Sequence, residues 1–231
     1  HLASFVPTSA GGNAWANLRE IQRGTHDYTL SLLDAVAGKT AHFVFASSVT
    51  VYGKSRSGVF RETDATEPTD PYGLFKLAGE RLCRLFAMQE KIPYALLRPT
   101  QLYGPGEPHG LFFQKFFIPT AQRGEAIRLV KGGREVKDLL YIDDAARAFV
   151  AAVLQQADGV FNVSSGEGTS VREIAEAIET LAGNSPNEIT DDGGPVLSQV
   201  FANERLRKIL GVTPAVPLQT GLQRLWHRAD S

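Results

Sequence analysis

The chain reads as α/β: a doubly wound parallel sheet covered by helices, followed by a smaller C-terminal α/β part. Three observations predict this. Segments of helical period alternate with short apolar runs, the connections between them are short, and 43% of the 231 residues are hydrophobic, enough for a sizeable core.

From Asn17 to Val36, Leu18, Ile21, Tyr28, Leu32 and Leu33 recur at roughly helical spacing, and Gly38 stands where the helix would stop. The aromatic-rich run HFVFASS at 42–48 is a buried strand, followed by a polar loop holding Gly53, Gly58 and Pro68. A second helix runs over Tyr72 to Glu90 with Leu74, Leu77, Ala78, Leu82, Leu85 and Phe86 at its apolar positions, and Pro71 suits its first turn. Tyr94 to Leu97 is a second buried strand ending at Arg98-Pro99. Helix, strand, helix, strand with short links is the pattern of a parallel sheet.

Composition shifts near residue 105, where a boundary is expected: 1–105 as the main sheet domain, 106–231 as a second part with some elements returning to the first. A helix at 111–123, a strand at 127–130 and the strand DLLYI at 138–142 come next, with Asp143 as cap of an alanine-rich helix. VFNVSSGEGTSVREIAEAIETLAG supplies strand, loop and helix, and Glu173 lies three residues after Ser170 as in a capping box. Short helices near 203–210 and 217–228 close the chain. No internal repeat is visible.

The totals exclude several functions. Lys plus Arg number 24 against 25 Asp plus Glu, so there is no general field for a nucleic acid backbone or an anionic membrane. The lone Cys83 and the lack of zinc spacing point to a reducing compartment, hence the cytoplasm, and to no structural metal. No apolar run approaches the roughly 20 residues that cross a bilayer. The chain starts at His1, and HLAS reads as the end of a buried strand running into a loop, so a segment is expected upstream.

Chemistry concentrates in two stretches. DPYGLFK places Tyr72 and Lys76 four residues apart on one helix face, above the strand ends where open α/β sheets bind ligands. A nearby ammonium favours phenolate and would make Tyr72 a usable base. The spacing alone equally fits a half-buried ring beside a solvated charge. SSVTVYG at 47–53 brings hydroxyls to the same rim, where Ser48 could hydrogen-bond a substrate oxygen as charge develops; Ser and Thr at a strand end also commonly satisfy backbone groups.

Taken in order, HLAS, SSVTVYG, YGLFK, RPTQLYGPG, KDLLYIDDAARAF and FNVSSGEGTSV resemble the extended short-chain dehydrogenases/reductases of the nucleotide-sugar epimerase and dehydratase group. The resemblance covers nearly the whole chain and implies a Rossmann-like sheet in the first part and a substrate-binding second part. It implies NAD as cofactor, with NADP not excluded, a nucleotide-sugar substrate, and a homodimer through helices at roughly 14–36 and 72–90.

It also implies roles. Tyr72, Lys76 and Ser48 would be the catalytic set, Tyr72 exchanging a sugar hydroxyl proton, Lys76 also holding the nicotinamide ribose and Ser48 polarising the same oxygen. Leu2, Ala3, Ser4 and Thr100 would touch the cofactor. Ser48, Thr50, Gln101, Arg134 and Lys137 would bind substrate, the last two near its diphosphate. Lysine at 137, where relatives more often carry arginine, offers a point charge without the bidentate fork. Gln101 stands where many relatives have asparagine.

The family's dehydratases resemble Thr-Asp-Glu at the positions of Ser48-Val49-Thr50, because eliminating water needs a carboxylic acid and a carboxylate; its decarboxylases place glutamate at position 50. Val49 and Thr50 cannot replace those groups. SVTVYG resembles the form seen in UDP-hexose 4-epimerases, so epimerisation at C4 through a transient ketone is expected. A 4-ketoreductase or dehydrogenase is the alternative within the family, and an inactive nucleotide-sugar or protein-binding remnant the alternative outside catalysis. No glycine-rich dinucleotide turn precedes HLAS, and Gly11-Gly12 follows the wrong element to serve as one. His109, Trp15 and Trp226 receive no chemistry.

Overall fold

The computed structural model describes residues 1, 17–106, 111–183, 188–191 and 193–229. Leu2, Ala3, Ser4, Gly11, Gly12, Trp15 and His109 lie outside them.

Helix α1 (Leu18–Ile21) and helix α2 (Tyr28–Val36) are joined by a π-helical turn at Gln22–Asp27, so the expected helix forms with one wide turn around Gly24. Strand β1 is Phe43–Ala46. A 3₁₀ turn at Val49–Tyr52 follows, and the polar loop expected after it contains strand β2 (Gly58–Phe60). Helix α3 (Pro71–Glu90) starts on Asp70, whose side chain accepts the Gly73 N–H at 2.8 Å, with Pro71 in the first turn; it ends on Lys91 in the left-handed region. Strand β3 (Tyr94–Pro99) runs almost directly into β4 (Gln101–Tyr103).

A second π-helical turn at Phe113–Phe117 leads into helix α4 (Ile118–Gln122), then strands β5 (Arg128–Leu129) and β6 (Val136–Tyr141). Helix α5 (Ile142–Leu154) begins one residue earlier than its acidic pair suggests: Tyr141 holds the cap position without a side-chain bond. Asp143 is therefore not the cap but sits in the first turn, where a carboxylate suits the helix dipole. Asp144 is buried and accepts the Ala215 and Val216 amides at 3.1 and 3.0 Å. Strand β7 (Gly159–Val163), strand β8 (Gly168–Ser170) and helix α6 (Val171–Ala182) follow, α6 with the full Ser170–Glu173 capping box. Strands β9 (Glu188–Ile189) and β10 (Gln199–Phe201) and helices α7 (Glu204–Ile209) and α8 (Leu218–Ala229) complete the chain.

The central sheet is parallel with order β1-β3-β7. At the other edge of β1, His1 donates its amino group to the Val44 carbonyl and its carbonyl accepts the Ala46 N–H. Strand alternation builds two cores from one sheet. Phe43, Phe45 and Leu96 face Leu33 and Cys83 of α2 and α3, while Ala95, Leu97, Phe161 and Val163 face Ala145, Ala148 and Ala152 of α5 and Leu206 of α7. Helices on both faces of a parallel sheet make this the doubly wound α/β fold. Parallel β4-β6, with β8 antiparallel beyond, carries a third core, in which half-buried Trp226 packs. The short parallel pair β10-β2 ties residues 58–60 to 199–201.

Candidate active site

Two close approaches seat α3 on the rim of the sheet. A Cβ added at Gly73 would lie 2.7 Å from the Thr50 carbonyl oxygen, and one at Gly79 would lie 2.6 Å from the Phe45 ring. Only residues without a side chain let the first turns of α3 come this near the strand end and the 49–52 turn. Tyr72 and Lys76 ride on those turns.

Lys76 is 2% exposed, and its ammonium donates to the Ala46 carbonyl at 2.6 Å, 5.2 Å from the Phe45 ring centre and 5.6 Å from that of Tyr72. Burial lowers its pKa to about 8, opposed by Cys83 and the Glu80 carboxylate. It is therefore still mostly a cation at neutral pH, against a half-buried Tyr72.

The two serines after β1 divide. Ser47 turns back and donates to Glu80 on α3. Ser48 caps the 3₁₀ turn, accepting the Thr50 N–H at 3.2 Å, and faces a cavity of about 200 Å³. Of the residues expected at the site, Ser48, Thr50, Thr100, Gln101 and Lys137 line this cavity; Tyr72 and Lys76 do not, and join it through Ala46 and the turn packed on Gly73. The Thr50 Oγ1 and Gln101 Oε1 atoms are buried without a hydrogen-bond partner among the described residues. Such atoms cost free energy. The Thr100 hydroxyl is committed to the Asp138 carbonyl at 2.8 Å.

Sequence reasoning missed much of the wall. Asp138 is buried and accepts from Ser165 N and Oγ, Gly166 N and Phe201 N, clamping the 164–166 loop and β10 to β6; burial pushes its carboxyl up to about 6 against those donors. Glu135 pairs with Lys137 at 2.6 Å. Strand alternation would have found it, because residues two apart share a face. Arg134 is held by Asp191 at 3.0 Å on both arms and by the Gly194 carbonyl.

Beyond Glu135, Lys137 and Leu197, which line both, lies a second cavity of about 890 Å³ with Phe112, Phe116, Phe117, Val130 and Val171 as apolar walls and Arg128 and Lys131 as basic ones. A small chamber and an apolar-walled groove thus adjoin across the paired Glu135 and Lys137. Among the described residues no cluster of His, Cys, Asp or Glu could hold a metal ion, and no helix is long and apolar enough to cross a membrane.

Residues 4–164 match the family model described as NAD dependent epimerase/dehydratase family. The chain belongs to this family. Similar proteins include the Bacillus subtilis protein described as an uncharacterized UDP-glucose epimerase, 29% identical over 78% of this chain and 58% of its own length. A dTDP-glucose 4,6-dehydratase of Streptomyces griseus is 28% identical over 84% of this chain and 60% of its own. The chain thus spans about three fifths of these curated relatives. The solved structure of MoeE5 in complex with UDP-glucuronic acid and NAD superposes with a TM-score of 0.83 at 28% identity, covering 100% of this chain and 79% of that one. The similar proteins include both epimerases and dehydratases.

Proposed function

We propose that the protein is an NAD-dependent nucleotide-sugar epimerase acting at C4 through a transient 4-keto sugar. The supporting observation is a pair of cavities that share Glu135, Lys137 and Leu197, one lined by Ser48, Thr50 and Gln101 and the other walled by Phe112, Phe116 and Phe117. A sugar, a diphosphate and a base are joined in that order. UDP-glucuronic acid, held by the structurally similar MoeE5, is of this class.

Val49 and Thr50 favour epimerase over dehydratase, since neither can protonate a leaving hydroxyl or remove the adjacent carbon-bound proton. Tyr72 takes the C4 hydroxyl proton and returns it. Lys76 holds that phenol ready, and Ser48 hydrogen-bonds the same oxygen as it becomes a ketone. Thr50 and Gln101 orient the sugar, and Lys137 meets the diphosphate, with Arg134 alongside.

The site suits the cofactor that the family uses. The Lys76 ammonium, a donor of three protons, gives one to the Ala46 carbonyl and retains capacity for ribose hydroxyls. NAD when bound would accept and return hydride. Lys76, Tyr72 and Thr100 would hold its nicotinamide end, and Leu2, Ala3 and Ser4 complete the proposed cofactor contacts. The assembly is a homodimer through α2 and α3, whose Tyr28, Leu74, Leu85 and Met88 are exposed, and the compartment is the cytoplasm.

A panel of UDP-glucose, UDP-galactose and their N-acetyl forms, incubated with NAD, tests the reading. Exchange of C4 configuration without net NADH is expected. Turnover that requires added NAD(P)H, or release of a dehydrated sugar, would overturn it.

A further inference from the structure

Behind the candidate site runs a buried polar chain with no place in the chemistry above. Ser47 donates to Glu80, whose two oxygens take Arg98 Nε at 2.8 Å and Nη2 at 2.7 Å. Arg98 Nη1 donates to the Tyr52 hydroxyl at 2.9 Å, and that hydroxyl donates to Asn162 Oδ1 at 2.7 Å. The Arg98 and Glu80 side chains are 5% and 4% exposed.

We propose that this chain positions the active site, with Glu80 and Arg98 as its positioning residues, holding Ser48, Lys76 and Gln101 in mutual register. The inference rests on the reading of the rim as a nucleotide-sugar site. The end of β1, the 49–52 turn, helix α3 and the β3–β4 run, which bring Ser48, Thr50, Lys76 and Gln101 to the rim, each contribute one member of the chain; β6, which brings Lys137, contributes none. Ser47 precedes Ser48, Glu80 lies one turn after Lys76 on the same face of α3, Tyr52 closes the turn that carries Thr50, and Arg98 lies three residues before Gln101.

Stability alone does not call for such a pair. Desolvating two charges offsets most of their attraction, and apolar residues of similar volume hold buried positions equally well. What an apolar filling lacks is directional bonding, and a bidentate fork fixes helix against strand in both distance and angle.

The double variant Glu80→Leu/Arg98→Met, which removes both charges together, tests this in the protein otherwise intact. A melting temperature at or above wild type, an unchanged KM and a kcat lower by about 10–100-fold are expected. Faster amide exchange over 48–53 and 72–76, with 81–90 still protected, is the matching signature. A stable double variant with wild-type kcat and exchange would overturn the proposal. Should the double variant not fold, Tyr52→Phe, which removes one bridging hydroxyl, decides instead: kcat about tenfold lower at constant KM supports the proposal, and unchanged kcat overturns it. A wild type without turnover refutes the epimerase reading instead, and amide exchange then decides positioning by itself.

Discussion

Lys76 shows what the site costs a single residue. Its ammonium is 2% exposed, and burial lowers its pKa from 10.5 to about 8. Between those values the unfolded chain holds a proton that the folded chain has released, so this group makes stability rise with pH over that window. Below about pH 8 the ammonium is charged in both states and the burial cost stands in full. Lys76→Met, which has no proton to lose, should therefore gain on the wild type at neutral pH, and the gap should shrink by ~3 kcal/mol from pH 7 to about 10.5. Urea melts at a series of pH values measure it; a gap independent of pH would contradict it. At Gly73 the effect is steric. Gly73→Ala forces a methyl to within 2.7 Å of the Thr50 carbonyl and should destabilise by about 1–3 kcal/mol in thermal melts; wild-type stability would refute the close packing. Sequence spacing put Tyr72 and Lys76 on one helix face, but which of Ser47 and Ser48 meets the cavity depends on strand twist and on Glu80, 33 positions away.

Among the elements, β6 carries the sharpest functional expectation. Lys137 on β6 and Glu135, the residue just before the strand, line both cavities and pair with each other. A diphosphate there must share the ammonium with a carboxylate that repels it. Glu135→Gln should bind UDP more tightly by calorimetry, and Lys137→Ala more weakly by about tenfold or more; weaker binding by Glu135→Gln would show that the carboxylate orders the site. The long elements were legible because period and caps agreed: Asp70 and Pro71 for α3, Ser170 with Glu173 for α6. Strands β2 and β10 were not, since three residues carry too little periodicity and their pairing spans about 140 positions. Asp143 misled because any acid near a helix start resembles a cap; here Tyr141 takes that place and the dipole, not a cap bond, accounts for the acid.

For the whole molecule, the doubly wound sheet was readable from the alternation of helix and strand, whereas the adjacency of chamber and groove was not. It depends on β6, the 195–197 segment and the second π-helical turn meeting, and no local pattern encodes that. The exposed Leu74, Leu85 and Met88 on α3 are apolar surface that a second copy would cover. Light scattering at micromolar concentration should give a dimer for the wild type and a monomer for Leu85→Arg; a monomeric wild type would remove the dimer.

The central claim is that the rim of this sheet carries C4 of a nucleotide sugar through a ketone and back by hydride return. UDP-glucose deuterated at C4 tests it most directly. The account predicts UDP-galactose that keeps the label at C4, in unlabelled water and without net NADH. Label lost to solvent, or no interconversion of the C4 epimers, would contradict it.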